Sequence, residues 1–85
     1  MSTWLARVYV SYKPTVNDPQ GLAIRGGLQQ LGFADVQSVR AGKYLEIRVD
    51  ADSADDAGNA VDRMCRLLLA NPVIEEYRFE VEIAA

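Results

Sequence analysis

Val36-Gln37-Ser38-Val39-Arg40-Ala41-Gly42-Lys43-Tyr44-Leu45-Glu46-Ile47-Arg48-Val49-Asp50 is the stretch on which the fold turns. Leu45, Ile47 and Val49 alternate with Glu46, Arg48 and Asp50, the period-two signature of a strand with one wet face. A two-residue turn at Ala41-Gly42 would place Arg40 opposite Lys43, Ser38 opposite Leu45 and Val36 opposite Ile47. Val36, Leu45 and Ile47 would then share one face, with Val39 and Tyr44 paired on the other. A slip of one residue would scramble both faces, so the hydrophobic pattern predicts a hairpin in this register.

Outward from the hairpin, the chain reads as one strand and one helix on each side. Leu5 to Lys13 is a strand with Ala6, Val8, Val10 and Tyr12 on one face and Leu5, Arg7, Tyr9 and Ser11 on the other. Pro14 ends it. Asp18 as an N-cap with Pro19 at the first helical position starts a helix; Asn17 with Gln20 is an alternative capping box. Ile24, Leu28 and Leu31 form its apolar stripe, and Gly32 is a left-handed terminator. Gly26-Gly27 inside this helix costs about 1 kcal/mol per glycine relative to alanine, which predicts close packing against a neighbour.

After the hairpin, Ser53 caps a second helix whose first turn carries Asp55 and Asp56, matched to the positive end of the helix dipole. Its expected stripe is Ala57, Val61, Met64 and Leu68, and Asn71-Pro72 stops it, with Asn71 as a left-handed cap. A last strand starts near Val73 and is clearest in Tyr77, Phe79, Val81 and Ile83. The order β-α-β-β-α-β predicts an α+β fold. Two helices would cover one face of a four-stranded antiparallel sheet in the ferredoxin-like arrangement, leaving the other face for dimerisation. Right-handed crossovers would put the first and third strands in the centre.

Eighty-five residues make a single domain spanning 1–85, which buries roughly 60–65% of its unfolded surface and gains stability from assembly. The net charge of −3, with acids spread along the chain, excludes the basic stripe of a nucleic-acid binder. With no histidine and one cysteine, the chain cannot by itself supply a Ser-His-Asp or Cys-His nucleophile, a structural zinc site or an internal disulfide. Cys65 is expected to be a buried packing residue. No segment is long and apolar enough to be a signal peptide or a membrane span, which points to the cytoplasm. The basic tip Arg40-Ala41-Gly42-Lys43 is open to two readings, a solvated turn or an anion or protein contact. A half-apolar second sheet face at Leu5, Tyr9, Val39 and Tyr44 suggests a partner.

Four blocks carry a family resemblance: K-P-T-V-N-D-P-Q-G from Lys13 to Gly21, L-G-F from Leu31 to Phe33, V-R-A-G-K-Y-L-E from Val39 to Glu46, and L-L-A-N-P-V-I-E-E-Y from Leu68 to Tyr77. Together they resemble the PurS family, the small subunit of phosphoribosylformylglycinamidine (FGAM) synthase. The sequence departs from the family pattern at Thr15, often glycine, and Asn17, often apolar. The resemblance implies a part in the fourth step of purine biosynthesis. There, a ligase converts formylglycinamide ribonucleotide, glutamine and ATP to formylglycinamidine ribonucleotide, glutamate, ADP and phosphate.

It further implies a homodimer or tetramer that bridges a large synthetase subunit and a glutaminase subunit and supports ammonia transfer between them. Catalytic, cofactor-binding and metal residues are expected to be absent from this chain, with ATP and Mg acting in the large subunit. The expected partner-subunit contacts are Arg40, Gly42 and Lys43 with Asp18, Pro19, Gln20 and Gly21; the expected self-association residues are Tyr9, Val39 and Tyr44. The competing reading is a stand-alone regulatory module that binds a small ligand at a dimer interface.

Overall fold

The computed structural model describes residues 1–84. Strand β1 (Ser2–Tyr12) leads to helix α1 (Pro19–Gln30). Strand β2 (Gly42–Ala51) follows, then helix α2 (Ala54–Met64), a π-helical turn (Cys65–Leu69) and strand β3 (Glu75–Ile83). The sheet is antiparallel in the order β2-β1-β3, with Tyr9 opposite Tyr44 on one side and Arg78 on the other. The α+β class with two helices therefore holds, but the described residues form three strands and not four.

The hairpin is the main correction. Leu45, Ile47 and Val49 do alternate with exposed Glu46, Arg48 and Asp50, but β2 pairs with β1 and not with Val36–Arg40. Gly42 is no turn residue: it opens β2 opposite Ser11, and a Cβ there would run into the Val10 carbonyl oxygen. Val36 to Arg40 is irregular and joins no ladder. Asp18 accepts from the Ala41 amide, and Arg40 donates to carbonyls at the end of β1. With that strand missing, β1 alone is central and β2 becomes an edge.

The alternation of β1 explains the core. Ala6, Val8 and Val10 point inward and are buried, flanked by Leu45 and Ile47 from β2 and by Tyr77, Phe79 and Val81 from β3. Helix α2 covers this face with Ala57 and Val61, followed by Cys65 and Ala70. Ser53 caps α2 through its hydroxyl, which accepts from the Asp56 amide at 3.1 Å. The expected stripe through Met64 and Leu68 fails beyond Val61. Cys65 follows Val61 inward at helical spacing, and the π turn, closed by the Ala70 amide donating to the Cys65 carbonyl at 3.0 Å, then adds a residue so that Ala70 is the next buried side chain. Leu68 is left 83% exposed. Asn71 is not left-handed; its side chain instead accepts from the Val73 amide, forming an Asx turn before β3 begins at Glu75.

Helix α1 starts as expected. Asp18 is its N-cap, with Pro19 at the first position, and Gly32 has the left-handed φ of 102°. It does not lie on the sheet. No strand packs substantially against it, Leu22, Ile24, Leu31 and Phe33 are exposed, and no atom lies within 4 Å of where a Cβ would stand at Gly26 or Gly27. Among the described residues no neighbour packs against those glycines. Of the two helices expected to cover the sheet, only α2 does so. The protein is accordingly long and thin, 52 × 29 × 14 Å.

Candidate subunit-contact site

Both basic and capping segments named from the sequence converge at one end of the sheet, where β1 ends and β2 begins. Asp18 is the joint. It is 7% exposed and its two carboxylate oxygens are divided between segments: Oδ1 accepts from the Gly21 amide at 2.9 Å, Oδ2 from the Ala41 amide at 2.7 Å. These two amides, Gly21 first, hold the Asp18 carboxyl below its ordinary pKa of 3.8. Gly21 is required by close approach, since a Cβ would overlap the Val39 carbonyl oxygen and crowd Asp18 itself.

Arg40 closes the same bracket from the other side. Its guanidinium donates to the Tyr12 carbonyl and, at 3.0 Å, to that of Lys13. The two legs of the excursion from β1 to β2 are therefore cross-tied at their base. Beside the bracket lies a shallow cleft of about 300 Å³ lined by Val16, Asp18, Leu22, Val39 and Arg40. Pro19, Gln20, Gly42 and Lys43 are exposed next to it. Of the seven expected contact residues, Asp18, Gly21 and Arg40 are committed to internal bonds or close packing, and Gly42 to the β1–β2 ladder. Lys43, Pro19 and Gln20 face solvent.

The expected self-association face is only partly assembled. Tyr9 and Tyr44 do meet on the outer face of the sheet, ring centroids 5.2 Å apart, with the Arg78 guanidinium 4.0 Å above the Tyr9 ring. Val39 is not with them; it is half-buried in the loop beside α1. The face is also more polar than expected. The Tyr9 hydroxyl donates to Glu80 at 2.9 Å, Tyr44 donates to Glu46 at 2.9 Å, and Arg7 pairs with Glu82. The bond to Glu80 raises the Tyr9 pKa.

The sequence reading missed the exposed apolar residues of α1 and a second group, Leu67, Leu68 and Val73, at the end of the π turn. The α1 stripe was visible in the sequence but carries no mark of whether it faces its own core or another chain's. Among the described residues no group of three or more acidic, cysteine or histidine side chains is placed to hold a metal. Among the described residues no helix is long and apolar enough to cross a membrane. Cys65 is buried, and burial raises its thiol pKa.

Residues 5–83 match the family described as PurS, phosphoribosylformylglycinamidine (FGAM) synthase. The chain belongs to the PurS family. It is 49% identical to FGAM synthase subunit PurS of Bacillus subtilis over 89% of either chain, and 49% identical to that of Synechocystis over 88% of this chain and 75% of the relative. The B. subtilis PurS crystal structure superposes with a TM-score of 0.82 at 47% identity, covering 93% of this chain and 98% of that one. A chain of the Thermotoga maritima PurLQS structure superposes at 0.84 with 33% identity, over 99% of this chain and 100% of that one.

Proposed function

We propose that this PurS-family chain is the small, non-catalytic subunit of FGAM synthase in purine biosynthesis, bridging the synthetase and glutaminase subunits so that ammonia passes between them. The observation that carries this is the end-to-end match to a chain of PurLQS: the likeness covers all of that chain, so it is to a subunit of this size and not to part of a longer one. The residues present suit the role. With no histidine and its one thiol buried, the chain offers interfaces and not bond-making groups. Its contribution to rate is proximity: ammonia released beside the phosphorylated amide reacts before it is protonated and diffuses away.

ATP and Mg²⁺ belong to the large subunit in this scheme, and the complex works in the cytoplasm. The exposed Lys43, Pro19 and Gln20 are the contact residues that remain free to meet a partner subunit. The chain acts as a homodimer, because one helix on a three-stranded sheet leaves both α1 and part of the inner sheet face uncovered. The Tyr9–Tyr44 side of the outer face would serve a further pairing of dimers into a tetramer. No observation favours the stand-alone regulatory module.

The test is reconstitution. Mixed with its synthetase and glutaminase subunits in the presence of glutamine and Mg-ADP, the chain is expected to co-elute with both. Omitting it should reduce glutamine-dependent FGAM formation at least tenfold while sparing the reaction driven by added ammonia. Unchanged glutamine-dependent activity without the chain would refute the bridging role.

A further inference from the structure

We propose that the outer edge of β3 is a docking site for an extended segment of a partner subunit, added to the sheet as a further strand, whose side chains alternate between apolar and basic. The proposal rests on the bridging reading above and names the kind of chain the site takes.

The ladder shows which backbone groups are on offer. The Lys13 amide donates to the Ile74 carbonyl, and the Ala84 amide to that of Thr3, both at 2.9 Å. These bonds close the two ends of the β1–β3 pairing, in which Ser11 lies opposite Glu76 and Leu5 opposite Glu82. In an antiparallel ladder, residues that exchange bonds with the partner strand alternate with residues whose N–H and C=O point away. Glu76, Arg78, Glu80 and Glu82 therefore bond to β1, while Tyr77, Phe79 and Val81 turn their amides and carbonyls outward. The sheet ends there: among the described residues no strand lies beyond β3. The Glu75 amide points the same way and is taken by the Asn71 carbonyl at 2.7 Å. The outward positions after it are open, with no proline in β3 and no bulge in its register to block another strand.

The two sides of this edge set what the added strand must carry. Its side chains would alternate inward and outward as those of β3 do. On the inner side, a cavity of about 370 Å³ lies between the start of β3 and the π turn, with Cys65, Ala70, Pro72 and Tyr77 as its apolar wall. No residue of β1 or β2 lines it, so it opens past β3, where an inward side chain of the added strand arrives. That side chain is apolar. Leu67 and Leu68 of the same turn, and Val73 after it, are exposed and extend the apolar surface at this end.

On the outer side, β3 presents Glu76, Arg78, Glu80 and Glu82, all exposed. Arg78 is drawn over the Tyr9 ring, which leaves the row acidic. Lysine or arginine at the outward positions of the incoming strand complements it. The same row disfavours a second copy as occupant. Antiparallel pairing of two β3 strands along most of their length sets glutamate against glutamate, because Arg78 is the one cation in the row. In strand addition, main-chain bonds supply the affinity; here the cavity and the glutamates supply the selectivity.

Residue-resolved hydrogen exchange, on the chain alone and in the complex reconstituted with its synthetase and glutaminase subunits, tests the site. In the chain alone, the amides of Tyr77, Phe79 and Val81 are expected to exchange faster than those of Arg78 and Glu80. In the complex they should slow at least tenfold, which erases the alternation. Alternation that persists in the complex overturns the proposal and leaves bridging intact, whereas failure to co-elute removes both. Protection already complete in the chain alone assigns the edge to a second copy and overturns the proposal as well. Val81→Pro removes one outward amide and spares the bonds to β1. It should weaken binding to the partner subunits at least tenfold, with circular dichroism and self-association unchanged. Glu76→Lys should weaken binding about threefold, and more at low salt. Wild-type binding by both variants would refute the site, and if Val81→Pro does not fold, exchange in the wild-type complex decides.

Discussion

Asp18 illustrates how a residue that looks like a cap acquires a second duty. A capping aspartate needs one oxygen for the helix, and Asp18 spends the other on Ala41, 23 positions away. Both bonds favour the ionised form, so the folded pKa lies below 3.8. A depressed carboxylate contributes stability that is complete above its unfolded pKa and disappears as pH falls through the folded value. The wild-type protein should therefore lose stability as pH falls below about 4, in a step that Asp18→Asn flattens. Melting temperature followed across that range checks it, and superimposable profiles for the two proteins would contradict it. Cys65 gives a second outcome at this scale. Because burial raises its pKa and covers the sulfur, Ellman's reagent at pH 8 should leave the native thiol unmodified and react stoichiometrically once guanidinium unfolds the chain.

At the level of elements, the centre of the sheet carries the stability. Val8 is fully buried between Leu45, Phe79 and α2, and truncating it removes two buried methyl groups. Val8→Ala should cost about 2 kcal/mol in denaturant titration, whereas Val73→Ala, at an exposed site, should cost little. The same contrast shows what was legible in the sequence. Strict alternation in β1, β2 and β3 fixed their faces, and the caps at Asp18 and Ser53 were readable because each is a local bond between a side chain and an amide three residues on. What failed was the partner assigned to three apolar groups: the expected first hairpin strand, the end of α2 and the stripe of α1. Val36 and Val39 have strand-like character but pair with no strand. Leu68 follows helical spacing until a π turn breaks it, and Ile24 and Leu31 form a sound stripe facing away from their own sheet. For the site, the two segments named from the sequence, Asp18–Gly21 and Arg40–Lys43, lie side by side in the fold. Their use in bracing the base of the excursion from β1 to β2 was invisible, since it depends on where the Ala41 amide and the Lys13 carbonyl come to rest.

The whole molecule is thin, 52 × 29 × 14 Å, with a single helix over the inner face of its sheet. Its fully buried apolar set is mostly small: Ala6, Val8, Val10, Ala51, Ala57, Val61, Cys65 and Ala70. The largest apolar side chains of α1 contribute nothing to it. If association completes the core, the native state is a dimer and unfolding releases two chains, so melting depends on concentration. Each tenfold increase in protein adds about 1.4 kcal/mol to the dimer's stability. For a cooperative unit of about 170 residues, that corresponds to a rise of about 3–5 °C. Calorimetry from 2 to 200 μM, with ranges set by about two tenfold steps, should therefore show melting temperature climbing by about 6–10 °C. Leu31→Glu, at the exposed end of α1 and far from the core of its own sheet, should abolish the climb and lower the melting temperature at high concentration towards the dilute value. A melting temperature flat in concentration would mean that the protomer is stable as drawn, and that the apolar stripe of α1 awaits a partner subunit and not a second copy.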